Sequence, residues 1–371
     1  MTDPIHMAGP WVTDHEIRIV TECMRNGWYN YDYVEKFQRE FAAYHGRKYG
    51  IMTPNCTTAI HLLLTAMEIR ECDEVIAPEN TWVGSTAGIT YQRATPVFCD
   101  IDPVHWCLAP ESVEAAITAR TKAIIAVDVF GNMPLLDEVL EVARRHDVPV
   151  IEDAAEALGS TYKGRKAGNF GLASVFSFHR TKTVVTGEGG MLLLDDDVLY
   201  ERCLFLRDHG RRPGGSAYYT QDVTYKYMPF NLQAAMGYAQ FQRLGELVHK
   251  KRWIFESYKA RLQDLEDIEF NPDPPGGFNS VWITALLIGK RYHLTKVEAM
   301  DKLKAMEIPT RPFFYPLSSL PAYPGFEQAY RPRNPRAYDI CARGINLPSA
   351  LVMTESQIDR VSDGVRSMLP G

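Results

Sequence analysis

A chain of 371 residues, 46% hydrophobic and 23% charged, is long enough to bury a sizeable core and to divide into two domains. A net charge of −6 with no long basic run disfavours nucleic acid as a partner. No apolar run approaches the length of a membrane span, and residues 1–6 lack the basic-then-apolar start of a secretion signal, so a soluble, cytoplasmic protein is expected.

In chain order, residues 13–26 and 33–44 read as amphipathic helices. Short apolar runs then alternate with helical stretches. The runs are 49–53, 74–77, 96–101, 123–129, 149–153, 174–178 and 190–194, and 57–67 and 135–145 are among the helices between them. The runs near 75, 125 and 150 are continuously apolar, as strands buried on both faces are. This alternation predicts an α/β layer with a mostly parallel, seven-stranded sheet. The last two runs are too close for a full helix between them. A long helical stretch follows over 232–261, with a break expected near Gly245, and then a Pro/Gly-rich break over 271–278. From Val281 the pattern becomes strand, helix (296–306), strand (310–314), a Pro-rich loop (316–335) and a final helix (355–367). Residues 1–245 therefore read as a large domain with an N-terminal helical segment, and 246–371 as a smaller C-terminal α+β domain. Long loops in compact enzymes are often functional.

Two of the runs lead to the residues that carry chemistry. Val150-Ile151-Glu152-Asp153 ends on a carboxylate. Phe176-Ser177-Phe178 leads through His179-Arg180-Thr181 to Lys182 and then to Gly187-Glu188-Gly189-Gly190. A lysine amine condenses with an aldehyde, and an aspartate keeps a pyridine nitrogen protonated so that the ring accepts electrons. A pyridoxal phosphate enzyme needs these parts in this order. Taken singly, such a lysine is an ordinary loop residue and such an aspartate an ordinary turn or cap.

Further features share the pattern. Pro54-Asn55-Cys56-Thr57-Thr58 is a short polar turn opening a helix. It offers N–H groups and hydroxyls to a phosphate and is equally an N-cap. Ser177 is a second phosphate candidate, or a plain strand serine. Trp82 can stack on a pyridine ring or pack a core. Asp153 would make a charge-assisted bond to a pyridinium. Glu156, one turn on, reaches the ring edge or lies on the surface. There is no G-x-G-x-x-G after the first run, no G-x-x-x-x-G-K-[ST] and no G-x-S-x-G, which disfavours nicotinamide, P-loop and α/β-hydrolase chemistry. The ten histidines show no metal-ligand spacing, and seven scattered cysteines without C-x-x-C suit reduced thiols, so no metal is expected.

These residues resemble the DegT/DnrJ/EryC1/StrS family of sugar aminotransferases. The resemblance runs from Gly9-Pro10-Trp11 and Gly27-Trp28, through Asn55-Cys56-Thr57 and Glu74-Val75-Ile76-Ala77-Pro78, to the two cofactor motifs at 151–160 and 177–190. Near the end, Arg311-Pro312-Phe313-Phe314-Tyr315-Pro316 and Arg343-Gly344-Ile345-Asn346-Leu347-Pro348 look most like its GDP-perosamine synthase branch. The resemblance implies a fold-type I, aspartate aminotransferase-like architecture, with pyridoxal 5'-phosphate as cofactor. It makes Lys182 the cofactor-bonding lysine and Asp153 the partner of the pyridine nitrogen. It places Glu156 beside the ring, Trp82 on its face, and Cys56, Thr57 and Ser177 at the phosphate.

The same resemblance implies a homodimer with shared active sites. The segment Tyr225-Lys226-Tyr227-Met228-Pro229-Phe230-Asn231 matches one that enters the neighbouring subunit's site, with Lys226 or Asn231 as the phosphate contact. Related dehydratases carry histidine in place of the lysine; here Lys182 favours transamination, because a freed amine shuttles protons. The expected reaction moves an amino group from L-glutamate to a nucleotide-linked 4-keto-6-deoxy sugar. Two departures bear on that sugar. Tyr29-Asn30-Tyr31 lies in a short tyrosine-rich loop, and Ser318 stands where perosamine synthases carry a histidine near the sugar. Tyr29, Tyr31, Arg311 and Ser318 are the candidate substrate contacts. A 3-keto sugar or a cyclitol ketone stays open as substrate, as does a catalytically silent relative used for binding or regulation.

Overall fold

The computed structural model describes residues 4–369 except 213, 215 and 217, so the first three residues of the chain start read above lie outside it. Helices α1 (Asp14–Asn26) and α2 (Asp32–His45) precede β1 (Tyr49–Thr53). Then come α3 (Cys56–Ala66), β2 (Glu74–Pro78), α4 (Ala87–Tyr91), β3 (Thr95–Cys99), α5 (Pro110–Ala116), β4 (Thr121–Val127), α6 (Leu136–Arg145) and β5 (Val150–Asp153). A short hairpin, β6 (Thr161–Tyr162) and β7 (Arg165–Lys166), leads to β8 (Ala173–Ser177) and β9 (Gly190–Leu194).

All seven predicted runs lie in one seven-stranded sheet of order β1-β9-β8-β5-β4-β2-β3. Only β9 runs against its neighbours, β1 and β8. The reason is the short connection from β8, which leaves no room for the crossover that a parallel pair needs. Period-two alternation sends the two faces into separate cores: Ile124 and Ala126 join Phe37, Phe41 and Met191 on one side, while Ile125 and Val127 join Ile51, Ile60 and Leu192 on the other.

After α7 (Asp197–Arg207), the long helical stretch is two helices, α8 (Asn231–Gln242) and α9 (Leu244–Leu262). The break falls at Arg243 rather than Gly245. Arg243 ends one helix and starts the next, and its guanidinium bonds Glu16 at 2.6 Å and Glu246 at 2.8 Å. A second, antiparallel sheet follows, built from β10 (Ile268–Phe270), β11 (Ala285–Ile288), β12 (Arg311–Pro312) and β13 (Gly344–Asn346) in the order β10-β11-β13-β12. Helices α10 (Lys296–Ala305), α11 (Phe326–Tyr330), α12 (Pro335–Arg343) and α13 (Glu355–Met368) complete the chain. Apolar residues of α9, α10 and α13 close a separate core with this sheet.

The strand expected from Val281 starts at Ala285, because Val281 takes a left-handed backbone conformation (φ 54). The 310–314 strand shrinks to two residues, and the 316–335 loop contains a 3-10 turn and α11.

Candidate active site

The C-terminal ends of β2, β4, β5 and β8 converge on one place, as strand ends do in open α/β sheets. Asp153 ends β5 and is buried. The hydroxyl of Ser85 donates to its Oδ2 at 2.6 Å, and the Ala155 N–H donates to Oδ1 at 3.1 Å. Burial pushes the Asp153 carboxyl up, while the Ser85 bond and the Lys182 charge oppose that. Ser85 lies in the 3-10 turn that follows Trp82 and is held by the Thr81 hydroxyl at 2.9 Å. Trp82 itself is 63% exposed, its ring tilted against Phe314 at 6.3 Å. Trp82 thus presents an exposed indole in the same turn that holds Ser85 against the buried Asp153.

Lys182 sits in the loop between β8 and β9, with its side chain largely buried. Its Nζ bonds Glu156 Oε1 at 2.9 Å and lies 3.8 Å from the centroid of the Trp282 ring. Glu156 also accepts the Phe130 N–H at 2.8 Å. Burial pushes the Glu156 carboxyl up, and the Lys182 charge holds it back. The amine thus has one carboxylate partner and one aromatic wall.

The sheet register gathers the phosphate candidates. Gly190 pairs with both Thr53 and Ser177, and a Cβ there would lie 2.6 Å from the Cys56 nitrogen. The start of α3 and Ser177 are therefore neighbours. Asn55 caps α3 through the Thr58 N–H, so among the described residues the Cys56 and Thr57 N–H groups have no acceptor. A free first turn with a hydroxyl beside it suits a phosphate. The Cys56 thiol points elsewhere, toward Asp153 Oδ1 at 3.8 Å. At the start of α3 Cys56 thus presents its backbone N–H and not its thiol. Together the residues fit pyridoxal 5'-phosphate, with Asp153 at the ring nitrogen, Lys182 at the aldehyde, and the α3 turn and Ser177 at the phosphate.

Two expectations need correction. Ser318 is 1% exposed. Its hydroxyl donates to Glu79 Oε1 at 2.6 Å, its N–H donates to Glu79 Oε2 at 3.0 Å, and Tyr338 OH lies 2.8 Å away. It anchors the late loop to the end of β2 and has no free face for a sugar. Asn231 is equally occupied. Its amide accepts from the Tyr33 and Val34 N–H groups and donates to Gly27 O at 2.8 Å and Asn30 Oδ1 at 3.0 Å. It joins α8 to the start of α2 and cannot reach a neighbouring subunit's phosphate without losing these bonds.

Lys226 is exposed and pairs with Asp208 at 2.7 Å. Tyr29 (98%) and Tyr31 are exposed, as are Trp28 and Phe230, whose rings meet edge to face at 5.2 Å. Within one chain these residues are not brought to Lys182. Arg311 is half-buried on β12 and has no ion pair among the described residues; burial and the Arg180 charge push its pKa down. Ser85, Trp282 and Phe130 are contributors that sequence reasoning missed. Lys251 is another: fully buried, with Nζ on Ser349 O at 2.6 Å, it is pulled to about 7 by burial first and then by the Lys182 and Arg311 charges.

This fold and site define a pyridoxal phosphate-dependent aminotransferase. The family model of the DegT/DnrJ/EryC1/StrS aminotransferases matches residues 11–366, and the chain belongs to that family. It is 37% identical over 361 residues to GDP-perosamine synthase of Caulobacter vibrioides, covering 96% of each chain. It is 35% identical over 358 residues to the enzyme of that name from Escherichia coli O157:H7, again covering 96% of each. Among solved structures, DesI in the presence of its TDP-sugar product superposes with a TM-score of 0.89 at 29% identity, covering 99% of this chain and 93% of that one.

Proposed function

We infer that the chain transfers an amino group from L-glutamate to the keto carbon of a nucleotide-linked 4-keto-6-deoxy sugar, as a GDP-perosamine synthase-like enzyme. The observation that carries the transaminase reading is the placement of Lys182 between Glu156 and Trp282, near the buried Asp153. The sugar reading is supported by the names of the relatives that match along nearly the whole chain.

The bound cofactor supplies the electron sink for a carbanion next to nitrogen. Asp153 keeps the ring nitrogen protonated, and Ser85 keeps Asp153 in place and ionised. Lys182 Nζ removes a proton from the donor carbon in the first half-reaction and returns one to the sugar carbon in the second. Glu156 orients that amine. Trp82 covers the ring and excludes water from one face. Arg311 and Arg180, both without an ion pair among the described residues, present a cationic wall to the anionic parts of donor and sugar nucleotide.

The fold-type I assignment and the division at residues 245/246 belong to the same reading. So does a homodimer in which Trp28, Tyr29, Tyr31 and Phe230 form the seam and Lys226 meets the partner's phosphate. The test is product mass after incubation with pyridoxal phosphate, L-glutamate and GDP-4-keto-6-deoxymannose. The keto-to-amine mass change is expected. Glutamate-dependent bleaching of the cofactor with the sugar unchanged would refute the substrate and leave the enzyme class standing.

A further inference from the structure

Asp128 follows β4 and is fully buried, yet both its carboxyl oxygens lack a hydrogen-bond donor. Its carboxyl lies against that of Glu152, which is also fully buried. Glu152 is differently placed. Its oxygens accept the Gly168 N–H at 2.7 Å and the Phe170 N–H at 2.9 Å. The nearest cation, Arg47, spends its donors on Gly168 O, Phe170 O, Gly171 O and Asp195 rather than on either acid.

Two buried carboxyls in contact, with no cation bonded to either, cannot both be charged. One proton has to stay between them. Glu152 already has two donors as an anion, whereas Asp128 has none and gains a partner only by donating. Thus Asp128 is the acid and Glu152 its acceptor.

We propose that Asp128 is a positioning residue that keeps its proton through neutral pH, and that its O–H···O bond to Glu152 locks the ends of β4 and β5 so that Asp153 is held under the ring. The linkage is short: Glu152 precedes Asp153 in the chain, and the Asp128 N–H donates to Asp153 O at 3.0 Å. Loss of the shared proton would set two anions against each other directly beside Asp153. The other charged or titratable groups facing the pair are Asp153, Glu156 and the Cys107 thiol, with Arg47 behind Glu152. The two added carboxylates strengthen proton retention. Arg47 opposes it without a bond.

The role in positioning rests on the reading of Asp153 as the partner of the pyridine nitrogen. The retained proton does not, and it is tested without cofactor. The experiment is thermal unfolding of the cofactor-free protein from pH 5 to 9 for the wild type, Asp128→Asn and Glu152→Gln. The folded pair holds a proton that the unfolded carboxyl releases near pH 4, so wild-type stability falls as pH rises, by up to tenfold in the folding constant per pH unit for one proton. Asp128→Asn supplies the same donor without a titrating proton, so its melting temperature should fall less steeply with pH than that of the wild type, the remaining slope coming from Asp153 and Glu156. Glu152→Gln loses an acceptor of two N–H groups and should be destabilised at every pH. Parallel wild-type and Asp128→Asn lines would overturn the proposal, as would Asp128→Asn being the damaging change and Glu152→Gln the silent one.

The second arm is the pH profile of kcat with the holoenzyme. Asp128→Asn should extend the alkaline plateau, and Asp128→Ala, which removes the donor, should lower kcat at all pH values. If Asp128→Asn shows the shallower melting-temperature slope while its kcat profile superimposes on the wild type, the proton is real and the positioning role is refuted.

Discussion

Ser85→Ala isolates one bond at the centre of the site. The Ser85 hydroxyl donates to Asp153 Oδ2 at 2.6 Å with both residues buried. A hydrogen bond to a charged group contributes about 1.5–3 kcal/mol. After its loss Asp153 keeps the Ala155 N–H and the more distant Cys56 thiol. Since about 1.4 kcal/mol corresponds to one pH unit, the Asp153 pKa should climb by roughly one to two units beyond the rise that burial already imposes. Asp153 has to be ionised to hold the ring nitrogen protonated, so the acid limb of the kcat/KM profile should move to higher pH by that amount. The same sign governs stability. The folded pKa of Asp153 lies above its unfolded value, so stability is lost as pH rises through the folded pKa. In the cofactor-free variant that loss is larger, so the drop in melting temperature should be greater at pH 8 than at pH 4. An unmoved acid limb would refute the assignment of Ser85 as the support of Asp153.

Lys182→Ala should abolish turnover and leave Glu156 buried with the Phe130 N–H alone. Breaking such a pair costs about 3–5 kcal/mol, and because burial raises the Glu156 pKa, calorimetry should find the deficit growing as pH rises through that folded value. Ser318→Ala should lower stability by about 1–3 kcal/mol, by removing the 2.6 Å donor from Glu79, while the KM for the sugar nucleotide stays unchanged. A raised KM with normal stability would restore Ser318 as a substrate contact. Asn231→Ala should cost about 2–3 kcal/mol in chemical denaturation, through the unpaired Tyr33 N–H and Gly27 carbonyl. The cofactor affinity of the folded variant should equal that of the wild type, and a weakened affinity would return Asn231 to the phosphate.

The sheet was legible because its strands are buried on both faces, so stretches such as Val75–Ala77 and Ala123–Val127 are continuously apolar. Lys182 and Asp153 stand out in the sequence because each ends or follows a predicted strand, and the structure brings their side chains near one another. What stayed hidden depends on contacts between distant segments. Ser318 and Asn231 look like free polar groups in sequence, and only tertiary packing reveals that Glu79 and the α2 backbone consume them. Two-residue strands such as β12 have no period to detect. Ser85 was the most findable of the missed residues, since it lies three positions after Trp82 in a polar turn. Trp282 had no local signal at all, being exactly one hundred positions beyond Lys182 and past a Pro/Gly-rich break.

Trp282 explains why the second half of the chain belongs to the site. Its indole N–H donates to Thr181 O at 2.7 Å, which fixes the ring beside the amine of the next residue. The approach is tightly stitched. Asn279 donates to Asn132 Oδ1 at 2.7 Å and accepts from the Val281 N–H at 2.7 Å, which holds Val281 in its left-handed conformation. Ser280 N–H donates to Ser160 Oγ at 2.9 Å, and that hydroxyl lies 3.0 Å from Gly131 O. Gly131 itself has φ 91, and a Cβ there would sit 2.4 Å from Asn279 Oδ1, so only glycine admits the contact. A β-branched residue in the left-handed region is costly and persists only where its surroundings over-determine it. Here that cost places an aromatic wall against the Lys182 amine, and it ties the wall to the same β4–α6 connection that bonds Glu156 through the Phe130 N–H. The amine, its carboxylate and its aromatic wall are thus positioned by one buried polar network rather than by three independent loops.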